Sequence, residues 1–442
     1  MVEHMALGAF LQGFGHHQAG WRDPSTDPGS ELTLEHYQRI AQTAERGQFD
    51  LVFLADVAGW RDWNRDTIQH LSRTAIFEPI TLLSALAVST RNIGLIATAS
   101  TSYYEPFTVA RMFNSIDRLS GGRAGWNLVT STTEAEAQNF SREHQIPHAE
   151  RYARASEFAD VVRGLWDCWA ADAVLVDKES GNYLNPGRVR ELNHKGPYFQ
   201  VRGPMNMARA VQGTPLIVQA GSSGAGMDLA ARTADLVFTA QPTLESGQAF
   251  YADLKGRLPA HGRAPDSLRI LPGLVAIIGS TEAEAQAKAA SLEQLVHHRV
   301  GIGQLRDLLG VDLTDHDPDG PLPEIPETEG GKSRRQILID MAKRDNLSIR
   351  QLYQKTAAAR GFLAVTGTPE QVADAMELWF RNGAADGFNL MPPVMSRDLD
   401  DFVDHVVPVL QKRGLMRTEY TGATLRENLG LAKPASVYDP AG

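Results

Sequence analysis

An asparagine inside an apolar stretch is the first residue of this sequence that suggests chemistry. Asn127 lies in the segment from Ala124 to Val129, which ends at the small polar residues Thr130 and Ser131. A buried amide is costly unless its donors and acceptors are satisfied, so Asn127 needs a hydrogen-bond partner, and a ligand is one way to supply it. The Gly-Gly-Arg turn before this segment has a local explanation, because glycine commonly closes a helix.

A turn rich in glycine and serine is the second chemical signal. Gly221, Ser222 and Ser223 begin it directly after the apolar segment 215–220, and a helix is predicted to start within it. Backbone N–H groups at such a helix start can bind a phosphate. The run reads G-x-x-G-x-G and Asp235 begins the next strand, so it differs from the dinucleotide-binding fingerprint. A tight turn that needs glycine for clearance explains the same residues.

Two adjacent histidines and one acid follow other apolar segments. His16 and His17 come after segment 7–14, and neighbouring residues of a strand point to opposite faces, so no metal site is predicted from this pair. Asp56 ends the apolar segment 49–56, where a loop acid or a helix cap is the ordinary interpretation. Cys168 is the single cysteine, which excludes an intrachain disulfide and a cysteine-based metal site.

The composition predicts a soluble globular protein that acts on a small molecule. The chain has 442 residues, of which 43% are hydrophobic and 22% are charged, as in ordinary folded proteins. A net charge of -10 without an extended basic run argues against nucleic acid and anionic membranes as partners. No signal-peptide pattern and no apolar run of membrane-spanning length is present, so we expect a cytoplasmic protein.

Eight apolar segments alternate with helical spacing along the chain. The predicted strands are 7–14, 49–56, 93–99, 124–129, 215–220, 235–240, 270–278 and 387–391. Such alternation implies parallel strands, in a barrel or a doubly wound sheet, and polar residues recur at their carboxyl ends. Eight units favour an α/β fold of the (β/α)8 TIM-barrel type. We predict one domain over 1–442, with insertions near 57–77, 171–213 and 300–365.

Several ordered motifs resemble those of the luciferase-like monooxygenases that depend on reduced flavin. The similarity covers almost the whole chain and is closest to the branch that contains nitrilotriacetate monooxygenase component A and dibenzothiophene-sulfone monooxygenase. The motifs that carry it are Phe53 to Asp56, Gly122 to Ser131, His148 to Tyr152, Gln219 to Ser223, Ala385 to Asn389 and Val406 to Gly414. The resemblance implies a barrel of the bacterial luciferase type with insertions.

The resemblance also implies a cofactor, a co-substrate and partners. Reduced flavin mononucleotide (FMNH2) would come from a separate NAD(P)H:FMN oxidoreductase, and O2 would add to its C4a position to give a (hydro)peroxide that oxygenates the substrate. Relatives of this kind form homodimers or homotetramers. The alternative is a flavin-binding barrel without oxygenase activity.

Site residues are carried over from the family by position. Asp56, Thr98 and Asn127 correspond to residues around the flavin ring. The residues that correspond to the surroundings of the phosphate are His148, Tyr152, Gly221, Ser222 and Ser223. Hydroxyl groups and helix-start amides suit a phosphate. Phosphate sites of barrels usually follow strands seven and eight, so a site after strand five rests on the resemblance alone.

His17 is nominated as an acid/base or peroxide-stabilising residue, because relatives often have a histidine near the ring. A structural histidine explains it equally well. The segments 57–77 and 301–363 are predicted lids that exclude water.

The sequence leaves two classes of substrate as alternatives. An aminopolycarboxylate such as nitrilotriacetate calls for an arginine or lysine clamp. Trp60 and Trp63 lie in segment 57–77 and could instead stack on an aromatic sulfur or halogenated compound, or pack the lid against the barrel. In each case we expect a small organic, xenobiotic substrate.

Overall fold

Thirteen strands and sixteen helices build the part of the protein that the structure describes. The computed structural model describes residues 4–60, 65–72, 74–325, 332–359 and 361–439. The strands are β1 (Ala6–Leu11), β2 (Leu51–Leu54), β3 (Gly94–Ser100), β4 (Ala124–Val129), β5 (Val174–Asp177), β6 (Asn182–Leu184), β7 (His194–Lys195), β8 (Gln200–Val201), β9 (Leu216–Gln219), β10 (Leu236–Thr239), β11 (Arg269–Ile278), β12 (Leu363–Gly367) and β13 (Gly387–Leu390).

The helices follow the strands in alternation. They are α1 (Leu34–Arg46), α2 (Arg65–Ile68), α3 (Pro79–Leu86), α4 (Pro106–Ser120), α5 (Glu134–Asn139), α6 (His148–Trp166), α7 (Gly224–Thr233), α8 (Leu244–Arg257), α9 (Glu282–Gln294), α10 (His298–Leu309), α11 (Lys332–Arg344), α12 (Ile349–Ala359), α13 (Pro369–Arg381), α14 (Met395–Asp401), α15 (Val407–Lys412) and α16 (Leu425–Asn428). None of the described helices is long and apolar enough to span a membrane.

Eight of the strands close a parallel barrel, which confirms the predicted (β/α)8 fold. The order around it is β1, β2, β3, β4, β9, β10, β11 and β13. Pairing of β1 with β13 places Ala6 opposite Gly387, and pairing of β10 with β11 places Leu236 opposite Arg269. These are the eight segments that the apolar pattern predicted. Because all strands are parallel, their carboxyl ends form one rim.

Side chains of the barrel strands alternate between two cores, as the strand period requires. Leu7, Val52 and Trp126 belong to the large core between the strands and the surrounding helices. The inward side chains form a separate core, whose members from the strands include Ala6, Phe10, Leu51, Phe53, Ile96, Leu216, Val218, Leu236, Phe238, Leu271 and Val275. Polar residues at inward positions are therefore buried in an apolar interior and need partners.

The three predicted insertions contain their own secondary structure. Segment 171–213 holds two small antiparallel hairpins, β5 with β6 and β7 with β8. Segment 57–77 holds α2. Segment 300–365 holds most of α10 together with α11 and α12, and its apolar residues, such as Leu305, Leu352 and Tyr353, form a further core. Ala19, in the loop after β1, belongs to that core, so the insertion packs against the barrel rim.

A short strand at the end of the last insertion was not predicted. Residues Leu363–Gly367 form β12, which pairs in parallel with the carboxyl half of β11, Leu274 to Ile278, outside the barrel circuit. Its end residues are buried but its three middle residues are exposed or partly buried, so the strand lacks the continuous apolar run by which the barrel strands were recognised. β11 is accordingly longer than its barrel partners and extends beyond the rim.

The C-terminal segment closes the opposite end of the barrel. Leu425, Leu429 and Leu431 join the interior core, and a side chain at Gly94 would meet Leu425 at 2.5 Å. Arg426 donates to both carboxylate oxygens of Asp235, at 2.9 and 3.1 Å. The amino ends of the strands are thereby sealed, so a ligand must enter at the carboxyl rim.

Arg123 in the Gly-Gly-Arg turn is a structural residue. Its guanidinium is buried and donates to the carbonyl oxygens of Ala87, Thr90, Ile93 and Ser120. These bonds lie at the amino end of β4, away from the carboxyl rim.

Candidate functional site

Asn127 and Thr98 lie side by side on neighbouring strands near the carboxyl rim. The register of β3 and β4 pairs them directly, and both are 2% exposed. Nδ2 of Asn127 donates to Oγ1 of Thr98 at 2.8 Å, and that hydroxyl donates to the carbonyl oxygen of Leu54 at 2.8 Å. Oδ1 of Asn127 is buried and has no partner among the described residues. An acceptor is thus held in place and left for a donor that the described residues do not supply.

Asn389 on β13 is, like Asn127, a buried amide whose side-chain oxygen lacks a partner among the described residues. The flanking residues Phe388 and Leu390 belong to the outer core and Met391 to the inner one, so Asn389 points into the barrel. It is 2% exposed, and its Oδ1 also has no partner in the described part of the chain. Sequence reasoning quoted Asn389 within a motif but did not nominate it, although an amide in an apolar strand is the signal that identified Asn127.

Asp56 follows β2 and lies in a small cleft at the rim. Thr98, Ser100 and Glu136 line the same cleft. Burial raises the pKa of Asp56 to about 6, and the nearby carboxylates of Glu78 and Glu136 raise it further, against a lowering hydrogen bond from the amide of Val57. This carboxyl group therefore exchanges a proton close to neutral pH, which an exposed aspartate does not.

A second group of predicted residues surrounds the start of α7. Oγ of Ser223 accepts a hydrogen bond from the amide of Gly226 at 3.1 Å and caps the helix. A Cβ at Gly226 would stand 3.1 Å from Oγ of Ser223, 3.1 Å from the hydroxyl of Tyr152 and 3.0 Å from Cα of Gly221. The rings of His148 and Tyr152 are 4.7 Å apart. We call His148, Tyr152, Gly221 and Ser223 the rim cradle.

The rim cradle has the features of an anion site. Ser222 and Ser223 are exposed, so their hydroxyl groups and the first amides of α7 are accessible. The glycines keep side chains out of the space between the turn and Tyr152. A ten-residue helix that starts there adds the positive end of its dipole. Ser222 shares this turn, but no bond to the other members is present among the described contacts.

A group of aromatic rings, the aromatic wall, links the interior of the barrel to the last insertion. The ring of Phe10 lies 4.8 Å from Phe53 and 5.5 Å from Phe238, each edge to face. Phe362, at the end of the last insertion, stacks on Phe238 at 5.6 Å. Nε2 of His16 lies 2.8 Å from the carbonyl oxygen of Phe10. This contact fixes the imidazole ring of His16 beside the aromatic wall. Such a surface excludes water from the barrel mouth.

His17 lies at the same rim, in the loop after β1. It is 2% exposed, and its Nδ1 accepts a hydrogen bond from the amide of Ala19 at 3.2 Å. Its own amide donates to the carbonyl oxygen of Pro393, in the segment after β13. An Nδ1 that accepts a bond has no proton, so the neutral ring has its proton on Nε2. The catalytic role of His17 stays a prediction.

Of the two nominated tryptophans, only Trp60 lies within the described residues. Trp60 is 46% exposed, and its Nε1 donates to the carbonyl oxygen of Thr74 at 3.0 Å, which joins the two ends of segment 57–77. The bond lies within the segment, so substrate stacking and packing of the lid against the barrel both stay predictions. Trp63 lies outside the described residues.

The comparisons with known proteins identify the family. The model of the family described as "Luciferase-like monooxygenase" matches residues 13–386. The chain belongs to the luciferase-like monooxygenase family. The matched part of this family member begins just after β1, ends just before β13 and includes the other six barrel strands. It also includes every nominated site residue, from His17 to Ser223.

Relatives of this luciferase-like monooxygenase match over nearly the full length. Nitrilotriacetate monooxygenase component A of Aminobacter aminovorans is 49% identical, with 99% of each chain covered. N-acetyl-S-(2-succino)cysteine monooxygenase of Bacillus subtilis (strain 168) is 48% identical, with 99% of this chain and 98% of the relative covered. The predicted branch is thereby confirmed, and the protein is an enzyme, a monooxygenase.

A solved structure of a riboflavin lyase with a modified FMN and riboflavin has the same fold. It is 31% identical and has a TM-score of 0.84, with 97% of this chain and 96% of that chain covered. The fold prediction is therefore confirmed by a structural neighbour as well as by the strand circuit.

Proposed function

We propose that this luciferase-like monooxygenase is the oxygenase component of a two-component system that uses FMNH2 and O2. The observation that carries the proposal is the unpartnered Oδ1 of Asn127, fixed by Thr98 inside the barrel mouth. A separate NAD(P)H:FMN oxidoreductase would supply the reduced flavin, and a homodimer or homotetramer is the expected assembly. Reduced FMN would provide the electrons that activate O2.

The buried amides fit the polar edge of a flavin ring. Oδ1 of Asn127 and Oδ1 of Asn389 are acceptors, and a reduced flavin has ring N–H donors that would satisfy them. The hydroxyl of Thr98 donates its hydrogen bond to the carbonyl oxygen of Leu54, so it orients Asn127 and can only accept a hydrogen bond from a ligand. Asp56, with a pKa near 6, can hold or release a proton beside the ring.

The rim cradle fits the phosphate of the same cofactor. His148 and Tyr152 begin α6, which follows β4, and the Ser222–Ser223 turn follows β9, the next strand of the barrel. Asn127 is on β4 itself, so a ligand with a ring at Asn127 can reach the cradle along one side of the rim. Hydroxyl groups and helix-start amides would then bind the phosphate oxygens.

The protein has to keep water away while oxygen is transferred. One oxygen atom of O2 enters the substrate and the other becomes water, with both electrons taken from the reduced flavin, so leakage of the oxidant as hydrogen peroxide is the competing reaction. The aromatic wall of Phe10, Phe53, Phe238 and Phe362 supports this role. His17, buried at the same rim, is the proposed acid/base or peroxide-stabilising residue.

Carboxylate-bearing substrates are favoured over aromatic sulfur or halogenated compounds. The two similar relatives are named for nitrilotriacetate and N-acetyl-S-(2-succino)cysteine, and both compounds are tricarboxylic acids. Trp60 and Trp63 remain proposed substrate contacts, which an aromatic substrate would use most.

A substrate screen with a surrogate flavin reductase tests the proposed function. Nitrilotriacetate, N-acetyl-S-(2-succino)cysteine, dibenzothiophene sulfone and a chlorinated aromatic would be incubated with the enzyme under 18O2. We expect one product whose mass increases by one labelled oxygen atom. Binding of reduced FMN without any labelled product would instead support the alternative, a flavin-binding barrel without oxygenase activity.

A further inference from the structure

Three basic side chains from separate segments meet at the barrel rim. Arg22 lies in the loop after β1, His70 lies just after α2, and His297 immediately precedes α10. The rings of His70 and His297 are stacked, with centroids 3.4 Å apart and an angle of 21° between their planes. The Arg22 guanidinium donates to the carbonyl oxygen of Leu295. We call Arg22, His70 and His297 the basic cluster.

Among the described residues, the basic cluster has no acidic partner. Burial lowers the pKa of His297, and the neighbouring side chains of His70, Arg22, His298 and Arg299 lower it further. Within the described ranges, no carboxylate forms an ion pair with Arg22, His70 or His297. Such a cluster is unusual in a chain of net charge -10, because carboxylates are in excess. The positive charge of Arg22 beside two imidazole rings makes this place favourable for an anion.

Packing holds the basic cluster in place. Ala19, close to Arg22, shares a core with Val296 and Ile302 of the insertion. Thr67, three residues before His70, is buried, and a side chain at Gly303 of α10 would touch it at 3.4 Å. His297 is the N-cap residue of α10, but its side chain does not cap the helix. The first amides of this twelve-residue helix therefore stay uncapped by His297, next to the basic cluster.

The basic cluster and the rim cradle lie on opposite halves of the rim. The cradle follows β4 and β9, whereas the cluster follows β1, β2 and, through α9, β11. Strands β11, β13, β1 and β2 form one continuous half of the circuit, and β4 and β9 lie in the middle of the other half. A flavin phosphate at the cradle therefore leaves the basic cluster for a different anion.

We propose that the basic cluster binds a carboxylate group of the substrate, an inference that rests on the proposed function and extends it to substrate recognition. Arg22 offers the planar donors of a guanidinium, and each of the two stacked imidazoles offers an N–H donor. The cluster would orient the substrate with its carboxylate toward the insertions and its reacting atom toward the barrel mouth. Among the described residues, no group of three or more His, Cys, Asp or Glu side chains that could hold a metal ion is present.

Binding of tricarboxylates to matched variants tests this inference. The variants are Arg22→Gln and His297→Gln, and the control is His316→Gln, an exposed histidine on the same insertion. Calorimetry on the full chain would measure nitrilotriacetate and citrate as probes, and FMN in parallel. We expect each cluster variant to bind the tricarboxylates about tenfold more weakly, as for loss of one charged hydrogen bond. FMN affinity and the control should be unchanged.

Salt dependence separates charge recognition from a structural role. Wild-type binding of nitrilotriacetate should weaken as salt is added, and the variants should show a flatter dependence. Arg22→Lys should retain most of the affinity, because it retains the charge.

Three outcomes would overturn the inference. They are wild-type protein that binds neither probe at millimolar concentration, cluster variants that bind as tightly as wild type, and cluster variants that lose FMN affinity instead, which would assign the cluster to the flavin phosphate. None of these would overturn the proposed function, since labelled product from a neutral sulfone would still establish the oxygenase.

Discussion

The amide of Asn127 and the hydroxyl of Thr98 form a 2.8 Å hydrogen bond that fixes the asparagine and leaves its Oδ1 unpartnered inside the barrel mouth. Thr98 is itself oriented by its bond to the carbonyl oxygen of Leu54. Three neighbouring strands, β2, β3 and β4, are therefore linked by one chain of hydrogen bonds that ends at an open acceptor. This relationship is the basis of the proposed flavin site.

Asn127→Ala should weaken binding of reduced FMN by about 1 to 3 kcal/mol, because it removes a buried hydrogen-bond partner. Asn114→Ala is the matched control. Asn114 is also fully buried and also has an Oδ1 without a partner among the described residues, but it lies on α4 outside the barrel. Anaerobic titration with reduced FMN would measure both variants. Equal losses of affinity in the two variants would contradict the assignment of Asn127.

Ser223→Ala should weaken FMN binding more than riboflavin binding, because riboflavin lacks the phosphate that the rim cradle is proposed to hold. The same change removes the N-cap of α7, which alone costs about 0.5 to 2 kcal/mol of stability. Thr243→Ala removes the N-cap of α8 and serves as the control for that cost. Fluorescence titrations of each variant with FMN and riboflavin give the comparison. If the control discriminates between the two flavins as Ser223→Ala does, the cradle is not the phosphate site.

Asp56→Asn should stabilise the protein above pH 6. The pKa of Asp56 is raised from its ordinary value of 3.8 to about 6, so its stability contribution is fully present below 3.8 and is lost as the pH rises through about 6. Removing the charge should raise the free energy of unfolding by about 1 to 2 kcal/mol. This is less than the full pKa shift implies, because the carboxyl group is partly hydrated. Urea unfolding across this pH range would measure the gain.

Asp177→Asn is the control for that experiment. Asp177 is an exposed acid on the β5–β6 hairpin, and hydrogen bonds with Ser180 lower its pKa. Asp177→Asn should not raise the free energy of unfolding at any pH. A stability difference for Asp56→Asn that does not change with pH would refute the raised pKa.

Leu425→Ala should destabilise the fold by about 2 to 5 kcal/mol, because it leaves a cavity at the sealed end of the barrel. Leu425 is 0% exposed and lies against Gly94. FMN affinity should not change, since the flavin is proposed to bind at the other end. Leu119→Ala, at a leucine that is 66% exposed on α4, is the control and should cost little. Urea unfolding and FMN titration of both variants would check this, and loss of FMN affinity in a folded Leu425→Ala would argue against the assigned rim.

The barrel could be predicted because its strands are buried on both faces. Each one reads as a continuous apolar run, and an amide such as Asn127 is conspicuous within it. Strand β12 has no such run, because its middle residues are partly exposed. The sealing segment around Leu425 is too short for a periodic pattern, although Thr424 and Glu427 form a capping box there.

The basic cluster could not be predicted from local pattern. Arg22, His70 and His297 are far apart in sequence, and each alone looks like an ordinary loop residue. They meet only because the loop after β1, the segment around α2 and the start of α10 pack on one side of the rim. Contacts of this kind depend on tertiary structure, as does the proximity of Tyr152 to the turn at Ser223.

Rapid mixing of the anaerobic complex of enzyme and reduced FMN with oxygen tests the central claim most directly, because it needs no substrate. The account predicts a species with near-ultraviolet absorbance distinct from reduced and oxidised FMN, which persists far longer than any such signal from free flavin. Its lifetime should shorten in Asn127→Ala and not in Asn114→Ala. Appearance of oxidised FMN at the rate of the free flavin, with no distinct species, would contradict the account.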